Sequence, residues 1–359
     1  MDLVREAQKF DDTIHFEIGQ PDLPPPPKVK SAIEEAVKKE LFAYTPTQGL
    51  NKLQEKISNH YKKVYNLEIA PERILITPGT SIAFLIAYEL LLNQNSTIAM
   101  ADPSYPCYKN FAYMVDANPL LIPVFKKQNY LIRSKDLERL EFDALHISTP
   151  SNPTGSIYKS KDLKEVVEFC QEKGVGLISD ELYQGLVYDE VAPTALEFGD
   201  DVIVINGFSK YFCMSGLRIG WMVLPPKLIR PAEIIAQNLY ISAPTLSQYG
   251  ALEAFDYNYL AKVKETFRQR RDFLFNELSK IFDISIKPEG AFYIWCDISK
   301  YSNNSLDFSY QLLEDIHIAV TPGADFGKNE TNRYLRFSYT RDINHLKEGI
   351  ERLKRYLKV

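Results

Sequence analysis

The chain has 359 residues, of which 45% are hydrophobic and 25% charged, the balance of a folded globular protein, and disorder and collagen-like repeats are excluded. Forty-two basic residues stand against 47 acidic ones for a net charge of -5, so nucleic acid, whose phosphates need a bulk positive field, is not an expected partner. The length predicts two or three domains with ample chain for a large core.

The N-terminus carries Asp2, Arg5, Glu6, Lys9, Asp11 and Asp12 where a signal peptide needs an apolar run. Pro24 to Pro27 form a stiff, extended arm that the pattern does not read as helix. From residue 30 onward helical patterns alternate with short apolar runs, which predicts an α/β protein with a largely parallel sheet. The expected strands are Ile74 to Thr77, Thr97 to Ala101, Ala144 to Ser148, Gly176 to Ser179, Val202 to Asn206 and Ile219 to Leu224, none with strict alternation, as in sheets buried on both faces. The longest apolar segment, Ile82 to Leu92, is too short to span a membrane. A helix is expected from Ser160 as N-cap, with Leu163, Val166, Val167 and Cys170 on one face and Gly174 as its stop. After about residue 240 a long helical stretch, Thr245 through Ile281, leads into a mixed segment with a few short strands and a final basic helix. The expected division is a large domain over 31–256, with 1–30 and 257–359 forming an N-terminal arm and a smaller α+β domain.

Four cysteines without a C-x-x-C pair and five histidines without H-E-x-x-H spacing suggest neither a disulfide scaffold nor a metal site, so no metal is expected and the chain fits a reducing cytoplasm.

Open parallel sheets bind ligands at the carboxyl ends of their strands, and five strands here run into chemistry-bearing loops. These are Pro78-Gly79-Thr80-Ser81, Asp102-Pro103-Ser104-Tyr105-Pro106, Thr149-Pro150-Ser151-Asn152-Pro153-Thr154-Gly155, Asp180-Glu181-Leu182-Tyr183 and Gly207-Phe208-Ser209-Lys210. All five are expected to face one crevice. Gly79-Thr80-Ser81 opening a helix offers amides, hydroxyls and a positive dipole end to a phosphate, although an ordinary capped helix reads the same. Asp180 at the end of an apolar strand needs a cationic partner, which a core arginine could equally be. Lys210 after Val-Ile-Val-Ile has its neutral amine favoured, the form that Schiff-base chemistry uses, unless it snorkels to water.

The string Ser209-Lys210-Tyr211-Phe212-Cys213-Met214-Ser215-Gly216-Leu217-Arg218-Ile219-Gly220 resembles the cofactor-lysine signature of the class I and II aminotransferases, the pyridoxal-phosphate enzymes of fold type I and the aspartate aminotransferase family. Further landmarks follow in family order: Gly19-Gln20-Pro21-Asp22, Tyr44 with Gly49, Asn152-Pro153-Thr154-Gly155, Gly290-Ala291-Phe292-Tyr293, Pro322 through Gly327 and Arg333 through Ser338. The resemblance covers nearly the whole chain. It implies pyridoxal 5'-phosphate held covalently by Lys210, which also moves the substrate proton. It implies Asp180 on the pyridinium nitrogen, Tyr183 and Asn152 on the phenolate oxygen, and Tyr105 stacked on the ring. Thr80, Ser81, Ser209 and Arg218 would hold the phosphate, with Tyr44 reaching it from the other subunit of a homodimer. Arg336 would clamp the substrate carboxylate, assisted by Gly19 and Asn152. The implied reaction moves an amino group between an α-amino acid and a 2-oxo acid by a ping-pong mechanism, with no membrane partner.

Two departures bear on specificity. Gly207 stands where many members have a phosphate-binding serine. Ser81 stands where one branch of aspartate-using enzymes has a lysine, which puts aspartate specificity in doubt and leaves Lys109, Lys126 and Arg230 unassigned. Carbon-sulfur β-lyases share the same cofactor residues and are the alternative reading, separated by keto acid formation without an amino acceptor. A non-catalytic effector module lacks support, since no helix-turn-helix precedes Gly19.

Overall fold

A computed structural model of the chain describes residues 2–359. Its strands, in chain order, are β1 (Ile14–His15), β2 (Ile74–Thr77), β3 (Thr97–Asp102), β4 (Asn118–Pro123), β5 (Ala144–Ser148), β6 (Gly176–Asp180), β7 (Val202–Gly207), β8 (Gly220–Val223), β9 (Tyr293–Asp297), β10 (Ile318–Ala319), β11 (Thr321–Pro322) and β12 (Tyr334–Ser338). Seven of them form the central sheet in the order β2-β8-β7-β6-β5-β3-β4. β8 alone runs antiparallel to its neighbours. Both faces of this sheet are buried, which explains the unalternating apolar runs. Ile76, Leu145, Ile147, Leu177, Val202 and Val204 enter one core. Leu75, Ile98, Met100, Ile178, Ile203 and Ile205 enter the other, under the helix Thr80–Leu91.

The sequence reading missed β4, an edge strand with a proline near each end, where a missing amide costs little because one side has no neighbour. Three other expectations need correction. Pro27 opens the helix Pro27–Lys38 at its first position, where a proline loses no intrahelical bond. Ser160 is the first residue of its helix and Lys159 the cap, without a side-chain capping bond, whereas Gly174 ends the helix in the left-handed conformation at φ 68°. The stretch Thr245 to Ile281 is two helices, Thr245–Ala251 and Tyr257–Leu278, because Asp256 caps the second by accepting from the Tyr259 amide at 3.1 Å.

Beyond residue 257 the chain builds a three-stranded antiparallel sheet, β11-β12-β9. The second core gathers Phe267, Phe292, Phe337, Leu346 and Leu353 and takes in Ile14 and Phe16 from the N-terminal arm, where β1 pairs with β10. Trp295, Phe326 and Tyr334, although on this second layer, pack into the core of the central sheet. Trp295 stacks on Tyr334 with ring centroids 5.0 Å apart. An apolar seam therefore joins the two units beside the carboxyl ends of β3 and β5.

Candidate active site

Because β8 alone is reversed, it begins at the end where β2, β3, β5, β6 and β7 finish, and Gly220 lies in register with both Thr77 and Gly207. The five loops expected to share a crevice thus share one, and Arg218 arrives there from the start of β8.

Asp180 ends β6, is 4% exposed and accepts hydrogen bonds from the Tyr108 hydroxyl and, at 3.0 Å, from the Leu182 amide. Burial pushes its carboxyl up to about 6, while the two donors and the charge of Lys210 pull the other way. Lys210 donates from Nζ to the Gly19 carbonyl at 2.7 Å. Burial, followed by the positive charges of Arg336 and Arg218, brings its amine down to about 8, against the opposing pull of Asp180. Gly19 has no room for a side chain, since a Cβ there would meet the Tyr293 hydroxyl at 2.2 Å.

Arg336, in β12, is 7% exposed and donates to Asn152 Oδ1 at 3.0 Å, the Glu17 carbonyl at 2.8 Å and Thr321 Oγ1 at 3.1 Å. Its guanidinium lies 4.2 Å from the Tyr293 ring centroid and 5.0 Å from that of Phe326, and its Nε has no hydrogen-bond partner among the described residues. Tyr183 and Tyr293 share a 2.8 Å hydrogen bond between their hydroxyls. Tyr105 is half-buried, 5.4 Å between centroids from Tyr108.

Gly79 precedes the helix Thr80–Leu91 at φ 81°, and no side chain caps that helix. A Cβ on Gly79 would lie 2.7 Å from Arg218 Nη2, so the glycine lets the guanidinium settle over the helix N-terminus. Arg218 itself is exposed, adopts φ 50° and donates only to the Ser215 carbonyl, at 2.9 Å. Thr80 is half-buried, Ser81 exposed and Ser209 buried. At Gly207 a Cβ would meet Thr80 Cγ2 at 3.0 Å and the Gly220 Cα at 3.3 Å, so a side chain there would fit only if these neighbours between β7 and β8 gave way slightly.

Among the described residues, Asp180, Lys210, Arg218 and Arg336 make no salt bridge with one another or with any other side chain. Asp180 and Arg336 are buried without a salt-bridge partner, a costly state that a ligand of complementary charge relieves, and the exposed Arg218 is open to an anion. A phosphate fits the Arg218 guanidinium and the uncapped helix end. A protonated ring nitrogen fits Asp180, and a carboxylate fits Arg336. Pyridoxal phosphate with an amino acid carries all three.

Tyr44 stands apart from this cluster. Its ring is 77% exposed, on a loop tied to the helix Thr245–Ala251 by a Thr245 hydroxyl bond to the Ala43 carbonyl at 2.9 Å and a Gln248 amide bond to Thr45 at 2.8 Å. Arg230 is engaged by Glu233 at 2.6 Å. The sequence reading gave no role to Tyr108 or Tyr293. Tyr108 lies three residues after Tyr105, in the helix Cys107–Met114 that follows its loop, and this proximity is the local signal for it.

The family model for aminotransferase class I and II matches residues 11–353. The chain belongs to this family. It is 36% identical to the (5-formylfuran-3-yl)methyl phosphate transaminase of Methanocaldococcus jannaschii, over 99% of this chain and 96% of that protein. It is 30% identical to an aspartate aminotransferase of Sulfolobus acidocaldarius, over 99% of this chain and 93% of that one. Among solved structures, an aminotransferase from Mycobacterium tuberculosis superposes with a TM-score of 0.95 at 28% identity, covering 99% of this chain and 94% of that one. The protein is a pyridoxal-phosphate-dependent aminotransferase of fold type I, acting on amino acid and 2-oxo acid substrates.

Proposed function

We propose that this aminotransferase works by a ping-pong exchange at a site centred on Lys210, and that the residues named from the sequence divide the labour there. Pyridoxal phosphate, when bound, supplies the electron sink for the carbanion left after loss of the substrate Cα proton. Lys210 anchors it and carries that proton as general base and then acid, a task suited to an amine brought down to about 8. Asp180 holds the ring nitrogen protonated, with Tyr108 and the Leu182 amide fixing the carboxylate. Tyr183 and Asn152 would donate to the phenolic oxygen, and Tyr105 would cover the ring. Thr80, Ser81, Ser209 and Arg218 hold the phosphate. Arg336, backed by Asn152 and aided by the Gly19 backbone, fixes the substrate carboxylate and so aligns the Cα–H bond.

The single observation carrying this reading is the unneutralised set Asp180, Lys210, Arg218 and Arg336 around one crevice. Residues 31–256 form the cofactor-binding domain, and 1–30 with 257–359 the arm and smaller domain. The exposed Tyr44 fits a homodimer in which it completes the phosphate site of the other subunit. The absence of disulfides among the four cysteines fits a cytoplasmic enzyme.

Borohydride reduction of the cofactor-loaded enzyme followed by peptide mapping should label Lys210 alone; a label elsewhere overturns the assignment. A panel of L-amino acids, each offered with 2-oxoglutarate or pyruvate, should give new amino acid only when an acceptor is present. Steady keto acid release without acceptor would assign a carbon-sulfur β-lyase instead.

A further inference from the structure

We propose that Asp102 is a positioning residue that fastens the loop bearing Tyr105 to the wall of the Arg336 carboxylate clamp, an inference that rests on the roles given above to those two residues. Asp102 ends β3 and is 4% exposed, with no salt bridge among the described residues. Its carboxylate is held by backbone. Both oxygens accept from the Lys328 amide at 3.0 Å, and Oδ2 accepts from the Asn329 amide at 3.2 Å. Asn329 returns the contact through Nδ2, which donates to the Asp102 carbonyl at 3.2 Å and to the Val124 carbonyl at 3.1 Å. The Ser104 amide donates to the Phe326 carbonyl at 2.9 Å.

The turn that follows Phe326 is thus laced to the root of the Tyr105 loop by five hydrogen bonds, two of them from the Lys328 amide, and to Val124 after β4 by a sixth. Its fit leaves no slack at Gly327, where a Cβ would fall 1.7 Å from Asp102 Oδ1. Phe326 is the residue this lacing places. Its ring lies 5.0 Å from the Arg336 guanidinium and, edge-on, 5.5 Å from Trp295. Arg336 has no carboxylate partner among the described residues, so its orientation depends on its three oxygen acceptors and on the rings that flank it. A carboxylate accepting amide hydrogens is a strong and directional tether, and its removal leaves the Lys328 and Asn329 amides without acceptors. Lys210 follows β7 and Asp180 ends β6, and neither makes any of these contacts, so the loss falls first on substrate binding.

The test uses the cofactor-loaded enzyme and the best L-amino acid donor of the panel. Asp102→Ala should raise KM for that donor about tenfold while kcat stays within about threefold and cofactor affinity, to which Tyr105 contributes beside Lys210 and the phosphate contacts, falls no more than about threefold. Gly327→Ala should reproduce the pattern, because the added methyl collides with the carboxylate. Asn329→Ala, a milder lesion, should raise KM about threefold and serves if the other variants do not fold. A fall in kcat at constant KM, or a loss of cofactor affinity as large as the rise in KM, would each overturn the proposal. If none of the foldable variants moves KM, it is also overturned. Arg336→Leu is measured alongside, with n-propylamine as an amine lacking a carboxylate. Equal loss for donor and amine would remove the clamp reading, and the Asp102 inference with it. Selective loss for the amino acid together with unaffected Asp102 variants would overturn the Asp102 inference alone.

Discussion

Asp180 is the residue whose cost and use can be separated by pH. Its folded carboxyl titrates near 6 rather than at 3.8, so in cofactor-free protein the folded state binds the proton more tightly than the unfolded chain does. Stability from this group is therefore lost as pH rises from about 4 to about 6, and the full penalty, at most about 3 kcal/mol, stands above that window. Asp180→Asn removes the penalty while keeping an acceptor for the Leu182 amide. The cofactor-free variant should melt above the parent at pH 7 to 8, with the gap closing toward pH 4, although the loaded variant loses most transamination. Equal melting at all pH values would mean that Asp180 is not desolvated. The amine of Lys210 offers a second measurement. In cofactor-free protein its reaction with an added aldehyde should rise with an apparent pKa near 8, in stopped-flow absorbance, rather than near the ordinary lysine value of 10.5. A profile that follows the ordinary value would place the amine in water.

At the level of elements, the turn from β2 into the helix Thr80–Leu91 tests the phosphate site. Gly79→Ala forces a methyl toward Arg218 Nη2 at a backbone φ of 81°, which side chains tolerate poorly. Cofactor affinity, read by absorbance titration, should fall about tenfold or more, while thermal stability falls by only about 1 to 2 kcal/mol. Unchanged affinity in a folded variant would separate Arg218 from the phosphate. The elements also show what a sequence reveals and what it withholds. Five loops at one sheet end were legible because buried parallel strands are short apolar runs with punctuated ends. Lys210, Asp180, Asn152 and Arg336 could be placed through motifs lying within or beside such runs. Tyr108 and Tyr293 were not, because their importance lies in partners 72 and 110 positions away, Asp180 and Tyr183. β4 was hidden by its prolines, and the break before Tyr257 by a helical composition that continues through it, where only the Asp256 cap marks the restart.

For the whole molecule, one group of exposed apolar side chains lies where a second copy would explain it. Phe42 is 62% and Tyr44 77% exposed on the loop held by Thr245 and Gln248, and Leu239 and Ile241, both 47% exposed, precede that helix. Such rings cost free energy in water and invite an isologous contact. Mixing inactive Lys210→Ala protein with Tyr44→Ala protein, the latter first shown to be severely impaired, should restore activity above either parent as subunits exchange. A sedimenting monomer that turns over, or no recovery after proven exchange, would refute shared sites.

The seam between the two cores also gives the protein an optical property. Its two tryptophans report on different places. Trp221 is fully buried in the central sheet, with its indole donating to the Tyr61 hydroxyl at 3.2 Å. Trp295 lies in the seam, between Tyr334 and Phe326 and in register with Arg336. A change in how the two layers meet must alter the polarity and ring contacts around Trp295 while leaving Trp221 in place. With Trp221 replaced by phenylalanine, the intrinsic fluorescence of the chain becomes a single-site signal, and substrate occupancy could be followed as an emission change without any attached dye.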